Sequence, residues 1–192
     1  MSAESPSEKC RAGNLPRLLV VGCGNPLAGD DSAGVEVVQR LTQTRQPAGC
    51  EFCTLTSDAV PMLERVSSVD VILLVDAVIS GAAPGTLHLI PLPSLDVEPR
   101  AMSSLSTHGW GLLETLKLAR ALGRPIPRVL LLGVESGDVS PGAQRSAAVE
   151  RSLGLVVQRF SLLPPLLADA DSYVWRSARH FPPDDESFPV NG

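Results

Sequence analysis

The chain has 192 residues, 44% of them hydrophobic, and a mean hydropathy of +0.15. That length and composition suit one domain burying about 70% of its unfolded surface, and they exclude a chain that stays disordered. A formal net charge of −5 and a pI near 5.2 leave no basic stripe able to displace counterions, which excludes nucleic acid as the expected partner.

Residues 1–16, rich in Ser, Glu and Pro, read as a flexible leader. They carry no charged start followed by an apolar core, and no run elsewhere is long enough to cross a bilayer, so no membrane contact and a cytoplasmic location are expected. Four cysteines, at 10, 23, 50 and 53, are too few and too unevenly placed for a disulfide framework. Cys50 and Cys53 spell C-x-x-C within an expected strand over 51–55, where an offset of three sends side chains to opposite faces, so two ordinary thiols are expected there.

Arg17 to Gly34, RLLVVGCGNPLAGDDSAG, is the organising stretch. Leu18 to Val21 form an unbroken apolar run, the mark of a strand covered on both faces, and Gly22 and Gly24 let the chain turn out of it. Asp30, Asp31 and Ser32 precede an amphipathic segment, Val35, Val37, Val38 and Leu41, so one of the three is expected to cap that helix. A short helix over 58–66, capped by Ser57 or Asp58, follows the second strand. Asp70 to Val78, DVILLVDAV, reads as a central parallel strand ending on Asp76. Thr86 to Leu92 alternates and contains Pro91, which predicts a shorter or peripheral strand, with His88 as a hydrogen-bonded or exposed member. A helix over 109–122, a strand over 127–135 and a helix over 147–161 complete the alternation. Such an order implies right-handed crossovers and a three-layer α/β/α sandwich around a mostly parallel, roughly five-stranded sheet. From Leu163 to the end the chain is Pro- and Asp-rich and reads as a partly disordered tail, in which Tyr173, Val174 and Trp175 pack locally.

Open α/β sheets place their sites beyond the carboxyl ends of the strands. Asp31, Asp76 and His108 all fall at that edge. Two carboxylates and an imidazole suit a borderline divalent ion such as zinc or nickel, with positions left for water or a carbonyl oxygen. Each has a plainer role as well: Asp31 as a helix cap, Asp76 as a turn residue satisfying loop amides, His108 as a solvated linker residue. Cys23 is a second candidate, as a thiol that His108 activates or as a small buried apolar residue. A dinucleotide loop is excluded, because the glycine spacing is wrong and two acids stand where phosphate would bind.

Gly22 to Gly34, the strand ending Val75-Asp76-Ala77, Leu105 to His108, and Gly133-Val134-Glu135 with Ser140-Pro141-Gly142 together resemble the maturation endopeptidases of nickel-iron hydrogenases. The resemblance covers most of residues 17–162. It implies a monomeric α/β/α protease that removes a carboxy-terminal peptide from the hydrogenase large-subunit precursor once nickel is inserted. It also implies that Asp31, Asp76 and His108 contact the metal, that nickel arrives with the substrate, and that zinc or another divalent ion can substitute. Asn25 and Gly24 are then expected to support the loop or an oxyanion. One departure is Ser32, where the family loop commonly has glycine. Two rival readings stand beside this one: a nickel-handling or precursor-holding chaperone using the same ligands, and a peptidyl-tRNA hydrolase, which shares Gly-Asn-Pro but needs a basic face.

Overall fold

A computed structural model describes residues 15–45, 47–55, 59, 62–92, 95, 107–169 and 171–190, with the side chains of 107, 108 and 110 outside that set. Six strands, β1 (Leu18–Cys23), β2 (Cys50–Leu55), β3 (Val71–Val78), β4 (Leu87–Pro91), β5 (Arg128–Glu135) and β6 (Arg179–Phe181), form one sheet in the order β2-β1-β3-β5-β4-β6. The pairs β1/β2, β1/β3 and β3/β5 are parallel, whereas β4 runs antiparallel to both β5 and β6. Every residue of β1 and β3 is buried, as their unbroken apolar runs require of strands covered on both faces.

Helices α1 (Ala33–Thr42), α4 (Ala147–Arg159) and α5 (Leu163–Ala168) cover one face, where Val37, Leu41, Leu153 and Leu167 pack on Leu18, Val20, Leu73 and Leu132. Helices α2 (Met62–Val66) and α3 (Thr107–Ala121) cover the other, with Met62, Leu112 and Leu116 on Leu19, Val21, Ile72 and Leu74. The chain is therefore the expected three-layer α/β/α sandwich with a mostly parallel sheet. Cys50 packs against the first cluster and Cys53 against the second, the opposite-face placement that their spacing predicts.

Three expectations are corrected. The sheet has six strands rather than about five, because residues beyond Leu163 supply β6. In their described part those residues form no loose tail: Val174, Phe181 and Phe188 are each at most 1% exposed and join the core. Single apolar residues separated by polar ones escape a compositional reading, yet each buries enough surface to order its neighbours, an aromatic side chain contributing about 2 kcal/mol or more. Thirdly, none of Asp30, Asp31 and Ser32 caps α1 through its side chain. A 3-10 turn over Gly29–Ser32 leads straight into the helix, and Ser32 Oγ donates instead to the Gly29 carbonyl at 2.6 Å. Of the helix expected over 58–66, Met62–Val66 is helical, and 56–58, 60 and 61 lie outside the described residues, as does all of the leader except Leu15 and Pro16. Among the described residues no helix is long and apolar enough to cross a membrane.

Candidate functional site

Three loops leave the carboxyl ends of the parallel strands on one edge: 24–32 after β1, 79–86 after β3 and 136–146 after β5. Gly24, with φ of 123°, makes the first turn. A Cβ there would stand 1.9 Å from the Asp31 carbonyl oxygen, so the loop folds this tightly only around glycine. Asp31 is half-buried, and its Oδ2 accepts the Asn25 backbone amide at 2.9 Å; Asn25 Oδ1 in turn accepts from the Leu27 amide at 3.0 Å. Gly24 and Asn25 thereby shape the loop that carries Asp31. The Asn25 amide is already committed to that carboxylate.

Asp76 lies inside β3, wholly buried, with Oδ1 accepting the Ala77 amide at 2.9 Å. Strand alternation fixes the face. Ile72, Leu74 and Val78 point toward α3, and Asp76 shares their parity. Gly22 stands opposite Val75, so the next residues, Cys23 and Asp76, are neighbours on that face. Burial first, then the charges of Asp76 and Asp31, push the Cys23 thiol well above its usual range. A thiol so placed stays protonated, which fits the small buried apolar residue and not an activated nucleophile. Asp31 Oδ1 lies 3.8 Å from where a Cβ on Gly24 would stand, and Asp76 lies beside Cys23, so both carboxylates belong to the end of β1.

His108 belongs to the first turn of α3. Arg120, near the far end of that helix, lines a cavity with Pro91 and Arg128, at the amino-terminal edge of the sheet. The helix rises 1.5 Å per residue, so twelve residues carry its first turn about 18 Å back toward the edge where Asp31 and Asp76 lie. Among the described residues no three His, Cys, Asp or Glu side chains are placed to hold a metal ion, and the expected trio includes the imidazole of His108, which lies outside them.

Two other carboxylates at this edge are structural. Asp30, fully buried, accepts the amides of Gly137 at 2.8 Å and Asp138 at 3.1 Å on Oδ2 and that of Ser146 at 2.7 Å on Oδ1, tying the first loop to the third. Glu135, at the end of β5, accepts the Ser80 and Gly81 amides and so ties the third loop to the second. Sequence reasoning picked out Asp31 as a ligand and treated Asp30 only as a possible helix cap, so the loop-tying role of Asp30 was missed. The signal for Glu135 was available, an acid closing the aliphatic run PRVLLLGVE.

Comparison with known proteins gives the family to which this fold belongs. A family model described as HycI, hydrogenase maturation protease, matches residues 35–161, an interval that includes Asp76 and His108 and opens four residues after Asp31. The chain is 29% identical over 171 residues to the hydrogenase expression/formation protein HupM of Azotobacter chroococcum mcd 1, covering 83% of this chain and 80% of that one. It is 29% identical over 136 residues to the hydrogenase 2 maturation protease of Escherichia coli K12, covering 70% and 82%. Among solved structures, the hydrogenase maturating endopeptidase HybD from E. coli superposes with a TM-score of 0.65 at 25% identity, over 77% of this chain and 91% of that one. With the α/β/α sheet, the acidic loop and the buried strand acid in place, the matched interval settles the assignment: this chain belongs to the hydrogenase maturation protease family.

Proposed function

We propose that this protein removes the carboxy-terminal extension of a nickel-iron hydrogenase large-subunit precursor after nickel insertion, using Asp31, Asp76 and His108 to grip the nickel that the precursor carries. The observation that carries the reading is Asp76. A carboxylate fully buried in an otherwise aliphatic strand is costly to keep, and this one stands with Asp31 around the end of β1 at the edge where α/β sheets bind their ligands. The half-buried Asp31 has one oxygen on the Asn25 amide, and its Oδ1 takes no hydrogen bond from the described residues.

Two carboxylates and an imidazole fit a borderline divalent ion, nickel as cargo or zinc as a substitute. Holding the precursor through its own metal fixes the scissile bond in register, and positioning of this kind lowers a barrier by several kcal/mol before any proton moves. A carboxylate, Asp31 or Asp76, or the bound ion then activates water. The protein acts in the cytoplasm as a monomer, on a protein substrate rather than on RNA.

The test is to mix the protein with purified nickel-loaded precursor and weigh the products by mass spectrometry. A carboxy-terminal peptide is lost from the loaded precursor and not from the nickel-free one. Asp31→Asn, Asp76→Asn and His108→Ala each slow the cut by roughly 100-fold or more. Tight binding of loaded precursor with no change of mass would replace the protease reading with that of a precursor-holding chaperone.

A further inference from the structure

Glu135, 1% exposed, accepts the Ser80 amide at 2.8 Å, the Ser80 hydroxyl at 2.8 Å and the Gly81 amide at 2.9 Å, and its Oε2 lies 3.0 Å from His88 Nε2. A carboxylate only accepts, so His88 Nε2 carries a hydrogen. Nδ1 of neutral His88 is then an acceptor, and it stands 2.6 Å from Nδ1 of His180, which must donate. His88 and His180 are direct partners across β4 and β6, with ring centroids 4.9 Å apart at 75°. One buried acid thus reaches from the loop after β3 to a strand supplied by the carboxy-terminal segment.

We propose that Glu135, His88 and His180 form a proton-sensitive latch that fastens β6 to the loop after β3 and so positions the rim beside Asp76. The link between the two histidines holds a single hydrogen. A proton arriving at Nδ1 of His88 sets two donors face to face, and the link opens. Burial, then the neighbouring His180, hold His88 below the usual histidine range, against the pull of Glu135. A base whose proton affinity is lower folded than unfolded contributes stability that is complete above the ordinary histidine pKa and lost as pH falls below it. Glu135 works in the same direction. Burial raises it, but its bonds to Ser80 and Gly81 and the neighbouring His88 outweigh that and hold it below the usual carboxylate range, so its contribution is lost only in stronger acid, below the histidine range. The groups facing His88 are Glu135 from β5, His180 from β6 and, along the same row through Gly133, Asp76 from β3; Tyr173 and Arg179 belong to the opposite face.

The latch is tested without substrate, and only its bearing on processing rests on the function proposed above. Hydrogen–deuterium exchange of the full chain is followed from about pH 7.5 to about pH 5.5, across the histidine range, with intrinsic rates corrected. Residues 179–181 lose protection, by roughly tenfold, while residues 80–81, still bonded to Glu135, and β1 and β3 keep theirs. His88→Gln retains a donor for Glu135 but has no second ring nitrogen, and it removes the pH response. His180→Asn, which keeps a donor near the position of Nδ1, stays protected at the higher pH where His180→Ala does not. Acid opening that persists in His88→Gln overturns the proposal, as does loss of protection at 80–81 with β6 still protected. Ring nitrogen shifts in the unaltered protein give an independent check: a protonated His88 Nδ1 at about pH 7.5 would also overturn it.

Discussion

Asp30 and Asp31 are adjacent in the chain and alike in chemistry, yet the fold uses them in opposite ways. Asp30 is fully buried and takes three backbone amides from another loop, so its charge is met from within the protein. Asp31 is half-buried and takes one, from the turn that displays it. A carboxylate whose bonds are filled by backbone holds structure; one with an oxygen that takes no bond from the described residues can serve a ligand. Glu135 falls on the structural side with Asp30, and the two together hold the three loops that frame the site.

The largest expected effect breaks this division on the structural side. Asp30→Ala takes the shared acceptor from the part-buried amide bonds of Gly137, Asp138 and Ser146, and it should cost on the order of 4 kcal/mol in chemical denaturation. Asp31→Asn keeps an oxygen for the Asn25 amide and should change stability by less than about 1 kcal/mol, while on the proposed function it should slow processing by roughly 100-fold or more. Equal losses of stability in the two variants would erase the distinction.

Gly24→Ala sharpens the same comparison from the backbone. The new methyl must displace the Asp31 carbonyl from 1.9 Å at a φ that L residues avoid, at a cost of about 2 to 3 kcal/mol. Because the strain falls on the loop that carries Asp31, a melting curve and a processing assay should both register it. In Asp30→Ala stability fails first, and in Asp31→Asn activity fails alone.

Much of this was legible in the sequence because it rests on local patterns. Unbroken aliphatic runs marked β1, β3 and β5, and their alternation with amphipathic segments dictated the layers. The position of Asp76 followed from the strand it interrupts. What stayed hidden depends on long-range pairing. Asp30 meets amides more than a hundred residues away, and His88 meets His180 across a strand pair that no periodicity announces. Val174, Phe181 and Phe188 are scattered through a polar stretch, so only the folded core reveals that they belong to it. The helix cap was misread for a related reason: three good capping residues in a row say nothing of the 3-10 turn that makes a cap unnecessary.

The smallest effect asks whether burial or the number of hydrogen bonds sets the weight of a carboxylate. Asp70, at the opposite edge of the sheet, accepts three bonds from Arg17, from its amide at 2.9 Å, its Nε at 3.2 Å and its Nη2 at 3.0 Å. With three bonds from Arg17 alone it has at least as many as Asp30 takes from the third loop. Its side chain, however, is 26% exposed and that of Arg17 58%, so water and salt screen the pair and can replace what is lost. Asp70→Ala should therefore cost less than about 1 kcal/mol, with the difference from the unaltered protein shrinking as salt is added. A cost near that of Asp30→Ala, indifferent to salt, would mean that bond count alone decides, and the contrast between Asp30 and Asp31 would then need another cause than burial.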